Sequence, residues 1–313
     1  DLGFYDLRLP EARQAQADLA REYGVYGFCY YHYWFNGRRL LERPVNEIQA
    51  SGEPDFPFCV CWANENWTRC WDGRDKEMLL EQVYSPKDDL DHIRSLIPLF
   101  KEPRYIKVDG KPFFLVYRMG RLPEPEQTIR LWREEIVKAG LPGLYLANIE
   151  SHPLDHGIAG RLALDAAVEF APDWNCLAPP IRPGAGGLSF FKKKDGWANH
   201  RVSDYRLLME AMRQKPRTDY LRYRCVTPMW DNAARRAENA VILINSTPEL
   251  YGRWLAETVK EFDPPSQSEN FIFINAWNEW AEGCHLEPCR KFGRAYLEAT
   301  RDALVSQPLT VSK

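Results

Sequence analysis

The chain alternates between short runs that are apolar throughout and longer segments whose apolar residues recur every three or four positions. The short runs have the length of strands and are rich in aromatic and β-branched residues. Because they are nearly continuous in apolar character, we expect each strand to be covered on both faces. The predicted strands are 24–35, 56–64, 112–118, 144–149, 166–171, 223–230 and 270–277.

The segments between these strands carry helical spacing. Ser85 and Thr247 are predicted N-caps, and each is followed directly by proline. The predicted helices are 10–23, 86–100, 125–139, 203–214 and 248–262. Strands that alternate with helices indicate a parallel sheet, and this many units indicate an α/β fold of the TIM-type (β/α)8 barrel class. Seven strands are visible where such a barrel needs eight, so we expect the first barrel strand to precede Asp1.

Length and charge narrow the functional classes. The 313 residues fit one barrel domain over 1–313, and the net charge of −3 comes without any basic block, so neither nucleic acid nor an anionic membrane surface is an expected partner. No apolar run approaches the ~20 residues needed to cross a bilayer. The eight cysteines form no CxxC pair, which favours reduced thiols and a cytoplasmic location. The oligomeric state stays open.

Polar and aromatic side chains cluster where the predicted strands end, which is where parallel barrels place their active sites. The expected ligand contacts there are His32, Tyr33, Trp34, Asn64, Glu65, Trp67, Tyr117, Glu150 and Trp230. Aromatic faces beside carboxylates and amides suit a sugar ring, whose C–H faces lie on rings while its hydroxyls need polar partners. Since side chains on a strand alternate, Trp62, Trp67 and Trp71 cannot all face the pocket, and we expect Trp67 to do so. A single tryptophan is more often a core residue, so the cluster carries the prediction.

The last predicted strand leads into INAWNEWAEGCHLEPC, residues 274–289. Carboxylates and indoles at the end of a buried strand pack poorly, which favours a catalytic role for Glu279 and Glu282. Further expected substrate contacts here are Trp277, Asn278, Trp280 and His285. His285 lies between Cys284 and Cys289 at a spacing that matches no common zinc pattern, so no metal is predicted.

Three long stretches of the chain resemble one protein family. They are YDLRLPEARQAQADLAREYGVYGFCYYHYWFNGRRLLERP, FCVCWANENWTRCWDGRD and INAWNEWAEGCHLEP. They are similar to WbsX-type polysaccharide-biosynthesis proteins, which carry a glycoside hydrolase family 99-like domain, and the similarity covers nearly the whole chain. Members of that family have a further N-terminal strand. The resemblance implies an oligo- or polysaccharide substrate.

Glycoside hydrolase family 99 comprises endo-acting α-mannosidases and mannanases that retain anomeric configuration. Their paired glutamates lie in an N-E-W-x-E-G segment that is similar to residues 278–283 here. The resemblance implies that Glu279 assists the substrate 2-hydroxyl as it attacks the anomeric carbon, giving an anhydrosugar, and that Glu282 is the acid/base. Retaining glycosidases hold their two carboxyl groups ~5 to 5.5 Å apart, which a three-residue offset at a tight turn can supply.

Three functional classes remain open: a glycoside hydrolase or transglycosylase, a glycosyltransferase of O-antigen or capsule assembly, and a noncatalytic glycan-binding domain. A transferase that uses a nucleotide sugar needs a diphosphate site, and the chain shows neither GxGxxG nor a P-loop, so no cofactor is predicted. Asp89-Leu90-Asp91 resembles the DxD of such transferases but falls inside a helical pattern. A binding module needs the aromatic residues but not the carboxylate pair.

Overall fold

A computed structural model describes residues 2–69, 74–181, 199–236 and 238–305. Trp71, Cys70 and residues 182–198 of the Pro-, Gly- and Lys-rich segment at 178–202 lie outside the described residues. Within the described residues the strands are β1 (Phe28–Phe35), β2 (Arg38–Leu40), β3 (Phe58–Trp62), β4 (Trp67–Arg69), β5 (Arg74–Leu80), β6 (Lys107–Val108), β7 (Lys111–Val116), β8 (Tyr145–Glu150), β9 (Ala166–Glu169), β10 (Arg201–Asp204), β11 (Arg222–Tyr223), β12 (Cys225–Val226), β13 (Val241–Ile244), β14 (Phe273–Ile274), β15 (Asn278–Glu279) and β16 (Cys284–His285).

The central sheet is parallel, as predicted. Its strands follow the order β1, β3, β7, β8, β9, β11, and each neighbouring pair in that order is parallel. The chain then passes through one residue into β12, which pairs in parallel with β14. Each of the seven predicted strands therefore contributes to this array. In the described part of the chain no strand pairing joins β14 to β1, so the sheet is not closed by hydrogen bonds there.

Helices connect the strands. They are α1 (Pro10–Glu22), α2 (Arg43–Ser51), α3 (Pro86–Phe100), α4 (Pro125–Lys138), α5 (Ile158–Arg161), α6 (Tyr205–Arg213), α7 (Pro248–Glu261) and α8 (Ala295–Val305). Both predicted N-caps are confirmed, since Ser85 accepts from the Asp88 N–H at 3.1 Å and Thr247 from the Leu250 N–H at 3.2 Å. None of the helices in the described residues is both long and apolar enough to span a membrane.

The sheet is strongly curved. Phe113 of β7 packs against Phe271, just before β14, with 5.5 Å between ring centroids, although three strand positions separate β7 from β14 in the sheet order. At the two edges, Phe28 of β1 lies 5.1 Å from Trp277. Side chains from distant strands thus meet in a common interior.

The side chains of β1 alternate between two surroundings. His32 and Trp34 face the helices, where their rings stack on His92 of α3 with centroids 5.1 and 5.0 Å apart. Tyr31 and Tyr33 point to the other face, toward the interior. This alternation decides which residues of the YYHYW stretch can reach a site at the carboxyl edge.

Candidate functional site

Glu279 and Glu282 lie on a tight hairpin that follows the last sheet strand. β15 and β16 pair Glu279 with Cys284, and a single 3-10 turn over Trp280–Glu282 joins them. Gly283 closes the turn with φ +54, and a Cβ there would come within 2.8 Å of the Asp231 carbonyl oxygen. Only glycine fits this approach. The Asp231 N–H donates to the Glu282 carbonyl at 2.8 Å, which ties the hairpin to the segment after β12.

Burial makes both carboxyl groups weaker acids than an ordinary glutamate. Burial, followed by repulsion from Glu279, raises the pKa of Glu282 to about 7, although Arg235 and Arg236 oppose the shift. Arg235 Nη1 donates to Glu282 Oε1 at 2.8 Å. Burial also raises the pKa of Glu279, and Arg235 opposes it. Near neutral pH, the protonated and the ionised forms of Glu282 are therefore both populated, so the group can donate or accept a proton.

Two tyrosines of β1 lie close enough to Glu279 for its charge to raise their pKa. Tyr31 is 37 % exposed, yet burial and then Tyr117, Cys61 and Glu279 hold its pKa well above the usual range. A ring that is both accessible and surrounded by protein lies in an open pocket and not on the outer surface. Burial and Glu279 raise the pKa of Tyr33 to about 12. These hydroxyls stay protonated at neutral pH and can donate hydrogen bonds to a ligand.

Tyr31 was missed from the sequence, although a signal was available. Tyr33 was predicted to face the ligand, and residues two apart on a strand share a face, so Tyr31 follows from Tyr33. The structure brings Tyr31 and Tyr33 together at 6.4 Å and Tyr31 and Tyr117 at 6.1 Å between centroids. The interior face of β1 and the end of β7 thus supply adjacent aromatic rings.

Trp67 and Glu65 extend this row of rings, and we call the side chains of Tyr31, Tyr33, Tyr117, Trp67 and Glu65 the pocket wall. The Trp67 ring meets Tyr33 edge to face at 5.3 Å and Phe35 at 5.4 Å. Glu65 is 37 % exposed, and its carboxylate accepts from Arg118 and lies 3.7 Å from Arg121. Trp62 is fully buried and packs against His92 at 4.5 Å, so of the tryptophans at 62 and 67 only Trp67 accompanies the tyrosines.

Two predicted contacts lie behind the pocket wall. His32 is 7 % exposed, with its Nε2 3.0 Å from His92 Nε2, and burial lowers its pKa to about 3. Trp34 donates its indole N–H to Asp88 Oδ1 at 3.0 Å. Both side chains occupy the helix-facing side of β1, away from Tyr31 and Tyr33. The structure therefore does not bring them together with the carboxylate pair.

Asn64, Glu150 and Trp230 are buried at the strand ends and hold other groups. Asn64 Oδ1 accepts from the Arg118 N–H at 2.8 Å, and its amide donates back to the Arg118 carbonyl at 3.0 Å. Glu150 accepts from the Tyr220 hydroxyl at 2.5 Å. Trp230 is 2 % exposed and packs against Trp174 at 5.4 Å. These three side chains therefore make their contacts with other groups of the protein at the strand ends.

The remaining predicted contacts surround Glu279 along the chain. Trp277 packs on Phe28, and Asn278 donates to the Tyr5 hydroxyl at 3.1 Å. Trp280 is 46 % exposed and stacks on His285 with 3.7 Å between centroids. Asn278 thus reaches the N-terminal segment, whereas Trp280 and His285 contact each other and Glu287.

A half-open cavity of about 620 Å³ lies beside the hairpin. Asp231 and Ala233 border it together with β13, but neither Glu279 nor Glu282 lines it. Within residues 2–69, 74–181, 199–236 and 238–305, no group of three or more His, Cys, Asp or Glu side chains could hold a metal ion.

Fold and site together define an α/β protein with a curved parallel sheet, whose carboxyl edge presents a pair of perturbed glutamates beside aromatic rings. The chain belongs to the WbsX family: the sequence profile described as "Glycosyltransferase WbsX" matches residues 1–300. The protein WxcX of Xanthomonas campestris pv. campestris, strains B100 and ATCC 33913, is 41 % identical over 318 aligned residues, which cover 98 % of this chain. The chain spans 43 % of the length of that relative.

Two solved structures share the fold. A glycoside hydrolase-like protein superimposes with a TM-score of 0.64 at 11 % identity, over 96 % of this chain and 88 % of the other. The GH99 endo-alpha-mannosidase from Bacteroides thetaiotaomicron gives a TM-score of 0.56 at 13 % identity, over 98 % and 82 %. At these identities the likeness concerns the fold alone.

Proposed function

We propose that this chain is a carbohydrate-active enzyme that acts on a bacterial polysaccharide by glycoside hydrolase-like, retaining chemistry through Glu279 and Glu282. The observation that carries the proposal is the glutamate pair itself. Both carboxyl groups sit on one glycine-closed turn at the carboxyl edge of the sheet, and burial together with Glu279 raises the pKa of Glu282 to about 7. Two carboxyl groups with separated acidities are what acid and base roles in one reaction require.

We also propose that the sheet is a (β/α)8-type barrel with one strand position unfilled between β1 and β14. The curvature that brings Phe113 against Phe271, and the approach of Phe28 to Trp277, support this architecture. The endo-alpha-mannosidase fold supports it as well, because glycoside hydrolase family 99 proteins are barrels. In such a barrel the strand ends converge on one pocket, with Glu279 and Glu282 after the last strand.

In the proposed reaction, Glu279 accepts the proton of the substrate 2-hydroxyl while that oxygen bonds to the anomeric carbon. Glu282 donates its proton to the departing glycosidic oxygen, and an anhydrosugar results. Water or an acceptor hydroxyl then attacks the anomeric carbon and gives its proton to Glu282, while the 2-oxygen recovers its proton from Glu279. Each carboxyl group ends as it began, and no cofactor is needed.

The proposed binding surface combines rings and polar groups. Trp67 offers an aromatic face for a sugar ring, while the Tyr31, Tyr33 and Tyr117 hydroxyls serve as donors. Glu65, held by Arg118, would accept hydrogen bonds from sugar hydroxyls. Trp280 and His285 form an exposed stacked pair next to Glu279.

Transfer is the second candidate, because the family description names a glycosyltransferase. An acceptor hydroxyl that replaces water in the second step would give transglycosylation on the same groups. A nucleotide-sugar mechanism is less supported. Asp89 of the DxD-like triplet is 6 % exposed within α3 and accepts from Thr128 Oγ1 at 2.6 Å, so it is committed to the interior. A noncatalytic glycan-binding domain is the third candidate.

The decisive experiment compares Glu282→Gln and Glu279→Gln on two substrates. A panel of bacterial polysaccharides is first screened for released reducing ends to find a glycan that the parent cleaves. Glu282→Gln should lower turnover of that glycan by about 10²- to 10⁴-fold but largely spare the first step on a substrate with an activated leaving group, which needs little acid help. Glu279→Gln should slow both substrates, because the 2-hydroxyl loses its base whatever leaves.

Glu65→Gln is the matched control, since it neutralises a carboxylate at the same edge. It should raise KM and leave kcat within a few-fold of the parent. If both hairpin variants keep activity within a few-fold, the pair is not catalytic. Calorimetric binding of a nucleotide sugar would instead favour the transferase, and unchanged glycan affinity without any turnover would favour the binding domain.

A further inference from the structure

Behind the hairpin, the carboxylate of Glu287 collects hydrogen bonds from three parts of the chain. It is 2 % exposed. The Tyr5 hydroxyl lies 2.9 and 2.8 Å from its two oxygens, Gln16 Nε2 donates to Oε1 at 2.7 Å, and Trp280 Nε1 donates to Oε2 at 2.6 Å. All three donors are neutral, and no ion pair reaches Glu287 from the described residues. We call Tyr5, Gln16, Trp280 and Glu287 the rear network.

The rear network grips both neighbours of Glu279 in the chain. On one side, Trp280 gives its indole N–H to Glu287. On the other, Asn278 donates its amide N–H to the same Tyr5 hydroxyl, at 3.1 Å. The Glu287 N–H donates to the Trp277 carbonyl at 3.1 Å, which fastens the end of the hairpin back onto its start. The backbone on either side of Glu279 is thus held to a buried anchor.

We propose that Glu287 and Tyr5 are positioning residues that hold Glu279 in its reactive orientation, so that the segment before α1 completes the catalytic site. The inference rests on the proposed function, since it assigns a role in that reaction. The hydrogen bonds of the rear network end on Trp277, Asn278 and Trp280 and not on Glu279 itself, so Glu287 acts on Glu279 through its chain neighbours. Misplacing a reacting group by about 1 Å can cost about 10²-fold in rate.

The loss expected from breaking the network has a recognisable form. Because Asn278 and Trp280 flank Glu279, its base function should suffer first. Turnover should fall on both the natural glycan and the substrate with an activated leaving group, as it does for Glu279→Gln. Of the proposed binding surface only Trp280 belongs to the rear network, while the residues on β1 and β4 lie outside it, so kcat should fall more, roughly 10- to 100-fold, than KM rises.

The test compares one tyrosine inside the rear network with one outside it. Tyr5→Phe removes the hydroxyl that links Glu287 to Asn278. Tyr251→Phe removes a fully buried hydroxyl outside the rear network, which bonds Thr300 Oγ1 at 2.9 Å between α7 and α8. Tyr5→Phe loses the hydrogen bonds to Glu287 and Asn278 and Tyr251→Phe loses one bond in the core, so both variants should lower Tm. Only Tyr5→Phe should lower kcat. Glu287→Ala should lower it further and Glu287→Gln less, since the amide keeps one acceptor oxygen.

A second readout does not depend on turnover. In the ¹⁵N-labelled protein, the indole N–H signal of Trp280, assigned by its loss in Trp280→Phe, should move in Tyr5→Phe and stay in place in Tyr251→Phe. If Tyr5→Phe leaves kcat within twofold of the parent and the Trp280 signal unmoved, the positioning role is refuted. Retained activity in Glu279→Gln and Glu282→Gln would instead refute the proposed function, whatever the Trp280 signal does.

Discussion

Glu282 and Glu279 are three residues apart, yet their surroundings differ in ways that suit the two roles proposed for them. Burial raises the pKa of both, but Glu282 also feels Glu279, and only Glu282 accepts a hydrogen bond from Arg235. With a pKa of about 7, Glu282 loses its proton as pH rises through neutrality. We expect kcat/KM on the natural glycan to fall above about pH 7 and the fall to disappear with an activated leaving group, which a pH profile on both substrates checks.

The same shift makes a prediction about stability. The folded pKa of Glu282, about 7, lies above its ordinary value of 4.5, so between these values the folded state binds more protons than the unfolded state. The contribution of Glu282 to the free energy of unfolding therefore decreases as pH rises from about 4.5 to 7. Glu282→Gln removes this penalty and should stabilise the protein by about 1–3 kcal/mol at pH 8, relative to its effect at pH 4.

Urea unfolding of parent and variant at the two pH values measures this difference. Glu298→Gln is a suitable control, because Glu298 is an exposed carboxylate in the first turn of α8. If Glu282→Gln changes the free energy of unfolding by the same amount at pH 4 and at pH 8, the pKa of Glu282 is not raised by the fold.

Trp67 and Trp62 allow a comparison between a proposed sugar-binding residue and a core residue. Trp67→Ala should weaken glycan binding about tenfold, or roughly 1.4 kcal/mol, with little change in Tm, because its ring is partly exposed and meets Tyr33 and Phe35 edge to face. Trp62→Ala should destabilise the fold by about 3–5 kcal/mol, since its ring is fully buried. Glycan titration calorimetry and thermal unfolding measure the two effects, and equal losses of Tm would mark Trp67 as a core residue.

At the level of single elements, the hairpin from β15 to β16 depends on Gly283. Gly37, in the turn between β1 and β2, offers a matched comparison: its φ is +83, but a Cβ there would meet nothing within 4 Å. Gly37→Ala should cost only the left-handed backbone penalty, about 1–2 kcal/mol. Gly283→Ala adds the clash with the Asp231 carbonyl and should cost about 1–3 kcal/mol more.

Gly283→Ala should also lower kcat, because relief of that clash must move the turn that carries Glu282. Chemical denaturation and steady-state kinetics on both variants provide the comparison. Equal stability losses, or full activity in Gly283→Ala, would show that the close approach to Asp231 does not matter.

Some elements were readable from the sequence and others were not. α3 and α7 begin with a capping hydroxyl followed by proline, a local signal that needs no tertiary information. α8 was not predicted. Its buried face includes Thr300 and Ala303, so the contrast between apolar and polar positions is weak. The strand predicted over 223–230 pairs only to Val226, because the Trp230 carbonyl instead accepts from Leu243 of β13 at 2.8 Å.

At the scale of the whole molecule, the described sheet ends at β1 and at the short strand β2, which pairs with residues 33–35 of β1. The Phe28 N–H donates to the Pro57 carbonyl, and the Ala63 N–H donates to the His32 carbonyl. The even-numbered residues of β1 therefore direct their backbone N–H and C=O groups toward β3. Cys29 and Tyr31 direct their N–H groups the other way. Amide hydrogen exchange should therefore alternate along β1, fast at Cys29 and Tyr31 and slow at Tyr30.

β7 is the internal control for this measurement, since it lies between β3 and β8 and should be protected at every residue from Phe113 to Val116. Protection of Cys29 and Tyr31 equal to that of Tyr30 would mean that another segment pairs with this part of the β1 edge. That result would contradict the proposed gap in the barrel.

Periodicity and local hydrogen bonds were enough to predict the alternation of strands and helices, the parallel sheet and the capped helix starts from the sequence. The sequence also marked Glu279 and Glu282 as unusual residues at the end of a buried strand. That Tyr31 faces the interior while His32 and Trp34 face α3 became visible only in the folded chain, because the face on which a side chain lies depends on where the sheet packs. The tertiary structure alone joined Tyr5 to Glu287, 282 residues apart, since such a contact arises when the chain folds back on itself and leaves no local pattern.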